Sequence, residues 1–314
     1  MVMDVKIKVS SKSFSKDLVL REELISAFPN AEFNEELIDF TANSFAEFIG
    51  GASGVVVGLE PIIDTVLTKC ANLEIAAKFG VGLDNVDQIA ADKHDVKIGW
   101  SGGVNRRSVA EMVLCFMIGL SRHIFFSSRN LVDHNDWTKS GGHNLSNIIV
   151  GIIGVGFIGK DLVDLLKPFG CKILVNDIVD QADYYQKEGL IEYSKEEIYA
   201  KADIITVHTP LDETTRGLFN ADVFSQMKDS AYFINCARGG LVVQDDLKRA
   251  LSEGVIAGAA VDVFETEPSA DSIFIELPNL ISTPHTGGSS NEAILAMGRS
   301  AIGHLVDHFS AKIS

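Results

Sequence analysis

The chain has 314 residues, of which 46% are hydrophobic and 22% charged, and a formal net charge of −16. That length suits two domains of ordinary size, each able to bury a core. The acidic balance counts against a nucleic-acid-binding surface, which needs a basic stripe, but not against anionic small molecules, which respond to local charge in a cleft. The longest apolar run, Val113 to Leu120, falls far short of the ~20 residues that span a bilayer. An alternating strand pattern opens the chain in place of a signal-peptide profile, so a cytoplasmic protein is expected. Cys70, Cys115, Cys171 and Cys236 are widely spaced, with no C-x-x-C pair and no metal-ligand spacing. They read as reduced buried thiols, and no metal is expected.

In chain order, Val5 to Val9 reads as a strand and Lys16 to Phe28 as a helix that stops at Pro29. Val55 to Val57 is a buried strand, and Ile62 to Leu67 a helix. Leu73 to Phe79 and Val96 to Trp100 are further strands, with a helical stretch from Val86 to Asp92 between them. Such alternation implies a parallel sheet. Ser108 to Ser121 is strongly apolar and reads as a helix buried between layers or domains. Residues 122–147, with His134, Asn135, Asp136, Trp137, Gly141 and Gly142, read as a polar, irregular arm that packs against a second subunit.

At the middle of the chain the apolar run Ile148 to Ile153 leads into Gly154-Val155-Gly156-Phe157-Ile158-Gly159, and a helical pattern follows. Gly154 permits the tight turn, Gly156 lets backbone approach a pyrophosphate, and Gly159 lets the helix pack on the strand. The helix N-terminus offers free N–H groups to phosphate. A second strand, Lys172 to Asn176, ends at Asp177, where a carboxylate can accept from adenine ribose hydroxyls. It would repel a 2′-phosphate, and Ile178 rather than an arginine follows, so NAD is expected over NADP.

Ser194 with Glu197 forms a capping box. Strands are expected at Asp203 to Val207, Ala231 to Asn235, Ala257 to Val261 and Leu280 to Ser282, with a helix from Gln244 to Glu253. The last segment, Asn291 to Phe309, is a helix with no sheet left to join, and it can return to the first domain. Arg238, the acids Asp262, Glu265 and Glu267, and His285 all follow C-terminal ends of strands, where open α/β sheets bind ligands. An arginine can grip a carboxylate in a bidentate fork. A histidine can give and recover a proton near neutrality, oriented by a carboxylate on its far nitrogen. With a nicotinamide, this set serves hydride transfer to a 2-keto acid.

These segments resemble the D-isomer-specific 2-hydroxyacid dehydrogenases over nearly the whole chain. The resemblance is carried by Asn235-Cys236-Ala237-Arg238-Gly239-Gly240, Glu265-Thr266-Glu267-Pro268 and Pro284-His285-Thr286-Gly287, and by Gly80-Val81-Gly82-Leu83-Asp84-Asn85, Ser108-Val109-Ala110-Glu111 and Val207-His208-Thr209-Pro210-Leu211. It implies Arg238, Glu267 and His285 as catalytic residues, with Glu265 and Asp262 as neighbouring carboxylates that could replace Glu267. It implies an α/β fold in which a Rossmann domain, residues 101–288, sits beside a smaller flavodoxin-like substrate domain built from both termini, 1–100 and 289–314. The implied cofactor set is Gly154, Gly156, Phe157, Ile158, Gly159, Asp177, His208, Thr209, Pro210, Cys236, Ala237, Asp262 and Gly287. The implied substrate set is Lys78, Phe79, Gly80, Arg238 and His285, in a homodimer.

The substrate is read less directly. Phosphoglycerate dehydrogenases of this superfamily commonly hold phosphate with arginines in substrate-domain loops, whereas this chain has Gly58-Leu59-Glu60 in the first such loop. Lys78, Arg106 and Arg107 are the other possible anion ligands, and no C-terminal extension of regulatory-domain length is expected. A small unphosphorylated keto acid ranks first and 3-phosphoglycerate second. A dinucleotide-sensing corepressor remains a third reading, since such relatives can retain the triad.

Overall fold

Short β-branched strands alternating with helices give two parallel sheets in the computed structural model, which describes residues 3–312. The outermost residues of the expected terminal segments, 1–2 and 313–314, lie outside the described residues. Contacts divide the chain into two compact units, Met1–Asn105 with Ser289–Ser314, and Arg106–Gly288.

The first unit holds β1 (Ile7–Val9), β2 (Glu32–Phe33), β3 (Gly54–Val57), β4 (Ile75–Lys78) and β5 (Lys97–Gly99), in the order β2-β1-β3-β4-β5. All pairs are parallel, and this is the flavodoxin-like order. Helices cover both faces, so β3 and β4 are buried throughout and carry no polar alternation. Val56 points to one core with Ile7, Val9, Leu20 and Leu24, while Val55 and Val57 point to another with Phe45, Ile49 and Val66. Helix Asn291–Ser310 closes the first core with Met297, Ala301, Leu305 and Phe309. Fully burying a side chain such as Met297, Leu305 or Phe309 contributes about 1.5–3 kcal/mol.

The expected helix from Lys16 to Phe28 is two helices, Lys12–Lys16 and Leu18–Ala27. Asp17 between them takes an extended backbone and caps the second through its carboxylate, which accepts from Leu20 N–H at 2.9 Å. Helix Ala42–Ile49, capped by the Thr41–Ser44 box, was not anticipated, nor was the two-residue edge strand β2.

The second unit holds β6 (Ile149–Ile153), β7 (Lys172–Asn176), β8 (Ile191–Glu192), β9 (Ile204–Val207), β10 (Tyr232–Asn235), β11 (Gly258–Val261) and β12 (Leu280–Ser282). Their order, β12-β11-β10-β9-β6-β7-β8, is the Rossmann arrangement with β12 added at the edge. Helix Arg106–Ser121 lays Val109, Val113, Phe116 and Leu120 against Val150, Ile152 and Leu162, as its apolar run requires.

Residues 122–147 depart from the irregular arm expected of them. Ile124–His134 is a helix, bounded by left-handed His123 and Asn135, and none of its residues is buried. The polar residues that suggested irregularity, Asn135 to Gly142, lie beyond its end. The thiols also differ from expectation. Cys70 and Cys236 are buried, but Cys171 is only partly so, and Cys115 is exposed on its helix. Among the described residues no single helix is long and apolar enough to cross a membrane.

Candidate active site

The glycine-rich turn leaves β6 at the point where the strand order reverses, between β6 and β9. Gly154 has φ +93°, and a Cβ there would lie 2.7 Å from the His208 carbonyl carbon, in the loop that leaves β9. A Cβ on Gly159 would lie 2.3 Å from the Gly154 oxygen, so the ten-residue helix Phe157–Leu166 packs directly on the turn. Gly156 is its N-cap, carries no side-chain cap, and would meet nothing within 4 Å as alanine. The first turn of that helix therefore presents N–H groups to open space, the arrangement that suits a pyrophosphate.

Asp177 closes the turn from β7. Its Oδ2 accepts from Val155 N–H at 2.6 Å and its Oδ1 from Val179 N–H at 2.9 Å. Each oxygen keeps a lone pair for a ribose hydroxyl. Phe157, Ile178 and Val179 lie exposed around it and offer apolar contact. Beyond β9, His208 accepts or donates through Nε2 with Thr206 Oγ1 at 3.1 Å, while its Nδ1 and the Thr209 Oγ1 are buried without a partner. Although an edge of His208 reaches solvent, the buried ring holds its pKa down at about 3, so the imidazole is neutral. Two orphaned polar atoms beside an uncapped helix N-terminus and the Asp177 carboxylate fit a dinucleotide.

Arg238 follows β10 in an extended conformation, and its guanidinium donates to the Ala237 carbonyl at 2.7 Å. Asn235 braces that loop from both sides, accepting from Ala237 N–H at 3.0 Å and donating to the Arg238 carbonyl at 2.9 Å. A Cβ on Gly239 would fall 1.9 Å from the Phe264 oxygen, so the arginine loop lies directly on the loop carrying the acids. Cys236 is buried, and desolvation together with the Asp262 charge pushes its thiol well up, leaving it neutral and unreactive.

Of the three acids, Glu267 reaches the histidine: its Oε2 lies 2.7 Å from His285 Nδ1, and its Oε1 accepts from Phe264 N–H at 2.9 Å. Glu265 is exposed. His285 itself has φ +54° and is held by its N–H, which donates to the Asp262 carbonyl at 2.8 Å. With Nδ1 donating to the carboxylate, Nε2 is the nitrogen left to exchange a proton with a ligand.

Other expected site residues have protein partners of their own. Asp262 was expected at the cofactor, but its buried carboxylate accepts from Thr283 Oγ1 at 2.6 Å, Thr286 N–H at 2.8 Å and Gly287 N–H at 2.7 Å. It clamps the turn that carries His285. Gly287 likewise has both backbone groups engaged, its carbonyl accepting from Ser108 Oγ at 2.6 Å. Arg107, a possible anion ligand, pairs with Asp161 at 2.9 Å instead.

In the first unit, Phe79 is packed in the core edge-on to Phe14 at 5.6 Å, and its N–H donates to the Val57 carbonyl. Lys78 is buried, donating to the Gly58 carbonyl and to Asn85 Oδ1. Gly80 has φ +139°, a conformation reserved for glycine. The Asp262 clamp and the Asn235 brace escaped the sequence reading as supports. Their signal was present only as polar residues at the ends of otherwise apolar strands.

Fold and site together define a dinucleotide-binding α/β protein with an Arg–Glu–His set at the C-terminal ends of its strands. The family model described as D-isomer specific 2-hydroxyacid dehydrogenase, NAD binding domain, matches residues 114–287, and the chain belongs to this family. NAD is the cofactor of that domain, and the residues present fit it. The D-3-phosphoglycerate dehydrogenase of Bacillus subtilis is 36% identical over 236 residues, covering 74% of this chain and 45% of that protein. The D-3-phosphoglycerate dehydrogenase of Methanocaldococcus jannaschii is 33% identical over 284 residues, covering 89% of this chain and 54% of that one. The chain thus spans about half the length of these curated relatives. A solved structure described as the pyruvate reductase of Chlamydomonas reinhardtii is 26% identical with a TM-score of 0.83, covering 98% of this chain and 97% of that one.

Proposed function

We propose that the protein is an NAD-dependent oxidoreductase that reduces a small 2-keto acid to a D-2-hydroxy acid. The observation that carries this reading is the 2.7 Å contact from Glu267 to His285 Nδ1, which fixes the tautomer and leaves Nε2 to act on the substrate. When bound, NADH supplies the hydride. The Gly154 to Gly159 turn and the helix behind it hold the pyrophosphate, and Asp177 holds the ribose hydroxyls. Protonated His285 donates to the alkoxide as it forms, and Glu267 stabilises the imidazolium. Arg238 takes the substrate carboxylate as a bidentate partner.

The exposed helix Ile124–His134, with Ile124, Phe125, Leu131, Val132 and the nearby Trp137 on the surface, supports assembly as a homodimer through this arm. A run of exposed large apolar residues of this kind favours a protein partner. A cytoplasmic location completes the reading. Steady NADH oxidation with a panel of 2-keto acids tests the activity. Tight NADH binding without turnover of any of them would favour a cofactor-sensing role. The names of the curated relatives favour a second reading, D-3-phosphoglycerate dehydrogenase, within the same chemistry.

A further inference from the structure

Between β11 and β12 the second unit makes an excursion that carries Glu267. Val263 and Phe274 are buried, and no residue from 264 to 273 is. Apolar contact holds only the base: Phe264 and Phe274 meet edge to face, with ring centroids 6.3 Å apart, against the core of the unit. The rest of the loop must be placed by polar ties. One is Glu267 itself, on Phe264 N–H and His285 Nδ1. Another lies a short way along the returning limb, at Asp271.

Lys248 Nζ donates to both oxygens of Asp271, at 2.9 and 2.8 Å. Asp271 Oδ1 also accepts from Phe274 N–H at 3.0 Å, capping the short helix Ser272–Ile275. The hydrogen bond from Lys248 is the main cause that holds the Asp271 carboxyl below the usual carboxylate range. Lys248 stands on helix Gln244–Ser252, which is fixed in the same core by Leu247, Ala250 and Leu251. The pair thus fastens an unburied loop to a rigid helix. A partly exposed ion pair adds little to stability, so its consequence is geometric.

Resting on the dehydrogenase reading above, we infer that Lys248 is a positioning residue for the reaction, acting through Asp271 on the loop from which Glu267 meets His285. With Asp271 released, residues 265–271 gain backbone freedom, and the Glu267 carboxylate spends less time within hydrogen-bond reach of Nδ1. Misplacing a catalytic constellation by about 1 Å can cost ~10²-fold, and a loosened loop costs part of that.

The test replaces Lys248 by Met, which keeps the length and removes the charge, and by Arg, which can still fork onto a carboxylate. With NADH and the best of a panel of 2-keto acids, Lys248→Met should lower kcat about tenfold while KM and NADH affinity change little. Lys248→Arg should recover most of that loss. In the Glu267→Gln background, Lys248→Met should cost less than about twofold, because the carboxylate it positions has lost its charge. An unchanged kcat, or the same cost in both backgrounds, would overturn the inference and leave the dehydrogenase reading intact.

Nitrogen-15 NMR of the imidazoles in alkaline buffer gives a readout without cofactor or substrate. The His285 ring, assigned by its loss in His285→Ala, should carry its proton on Nδ1, and Lys248→Met should populate the other tautomer. An unmoved tautomer would overturn the inference. A tautomer that shifts in a protein whose wild type oxidises NADH with no 2-keto acid would uphold the positioning of Glu267 and overturn the dehydrogenase reading instead.

Discussion

Glu267 holds His285 with one carboxylate oxygen, 2.7 Å from Nδ1, and its own loop with the other, which accepts from Phe264 N–H at 2.9 Å. The same side chain therefore orients the ring and is itself oriented by the segment that Gly239 presses against, next to Arg238. A hydrogen bond to a charged partner contributes about 1.5–3 kcal/mol. Glu267→Gln keeps the shape and removes the charge that stabilises the imidazolium. It should lower kcat for keto-acid reduction by roughly 10–100-fold while NADH affinity, read by fluorescence titration, changes little. A kcat within twofold of the wild type would show that His285 does not depend on this carboxylate.

Asp262 supports the same histidine from below. Its removal as Asp262→Ala would leave Thr283 Oγ1, Thr286 N–H and Gly287 N–H without their acceptor in a buried place. Each buried donor left unmade costs about 1–3 kcal/mol, so unfolding free energy should fall by roughly 3 kcal/mol or more in a urea titration. A loss below ~1 kcal/mol would mean that water takes over the clamp.

Stability should also fall with acid through His208. Burial holds this imidazole neutral, with its pKa down at about 3, whereas in the unfolded chain it takes up a proton near its ordinary value of 6.5. Below pH 6.5 the unfolded state then binds more protons than the folded state, so stability is lost as pH falls from about 6.5 toward 3. Between pH 7 and pH 5 the loss from this one group is about 1–2 kcal/mol. His208→Asn, which cannot titrate, should show a correspondingly shallower fall in unfolding free energy over that interval. Parallel curves for the two proteins would place the His208 ring in water.

The fold was legible where a strand carries unbroken β-branched residues and a helix carries a cap. The fingerprint at Gly154, the capping box at Ser194 and the strand Leu280–Ser282 stand where the pattern put them. Legibility failed where one polar residue does two jobs, as Asp17 does in ending one helix and capping the next. It also failed at the edge strands β2 and β8, whose two residues each are too few to show a period. At the candidate site, Arg238 and His285 stood out by residue type and by position after strands, and Glu267 was separated from Glu265 and Asp262 only by the family resemblance. Their supports did not stand out, because a carboxylate that clamps a turn, like that of Asp262, has the same sequence signature as one that meets a ligand.

The most direct measurement is the rate of NADH oxidation at saturating cofactor with the preferred 2-keto acid, in the wild type and in His285→Ala. A general acid contributes about 10²–10⁴-fold, so the variant should lose at least two orders of magnitude in kcat while binding NADH nearly as tightly. Equal rates in the two proteins, or no oxidation by the wild type with any 2-keto acid, would contradict the assignment of His285 as the proton donor of a dehydrogenase.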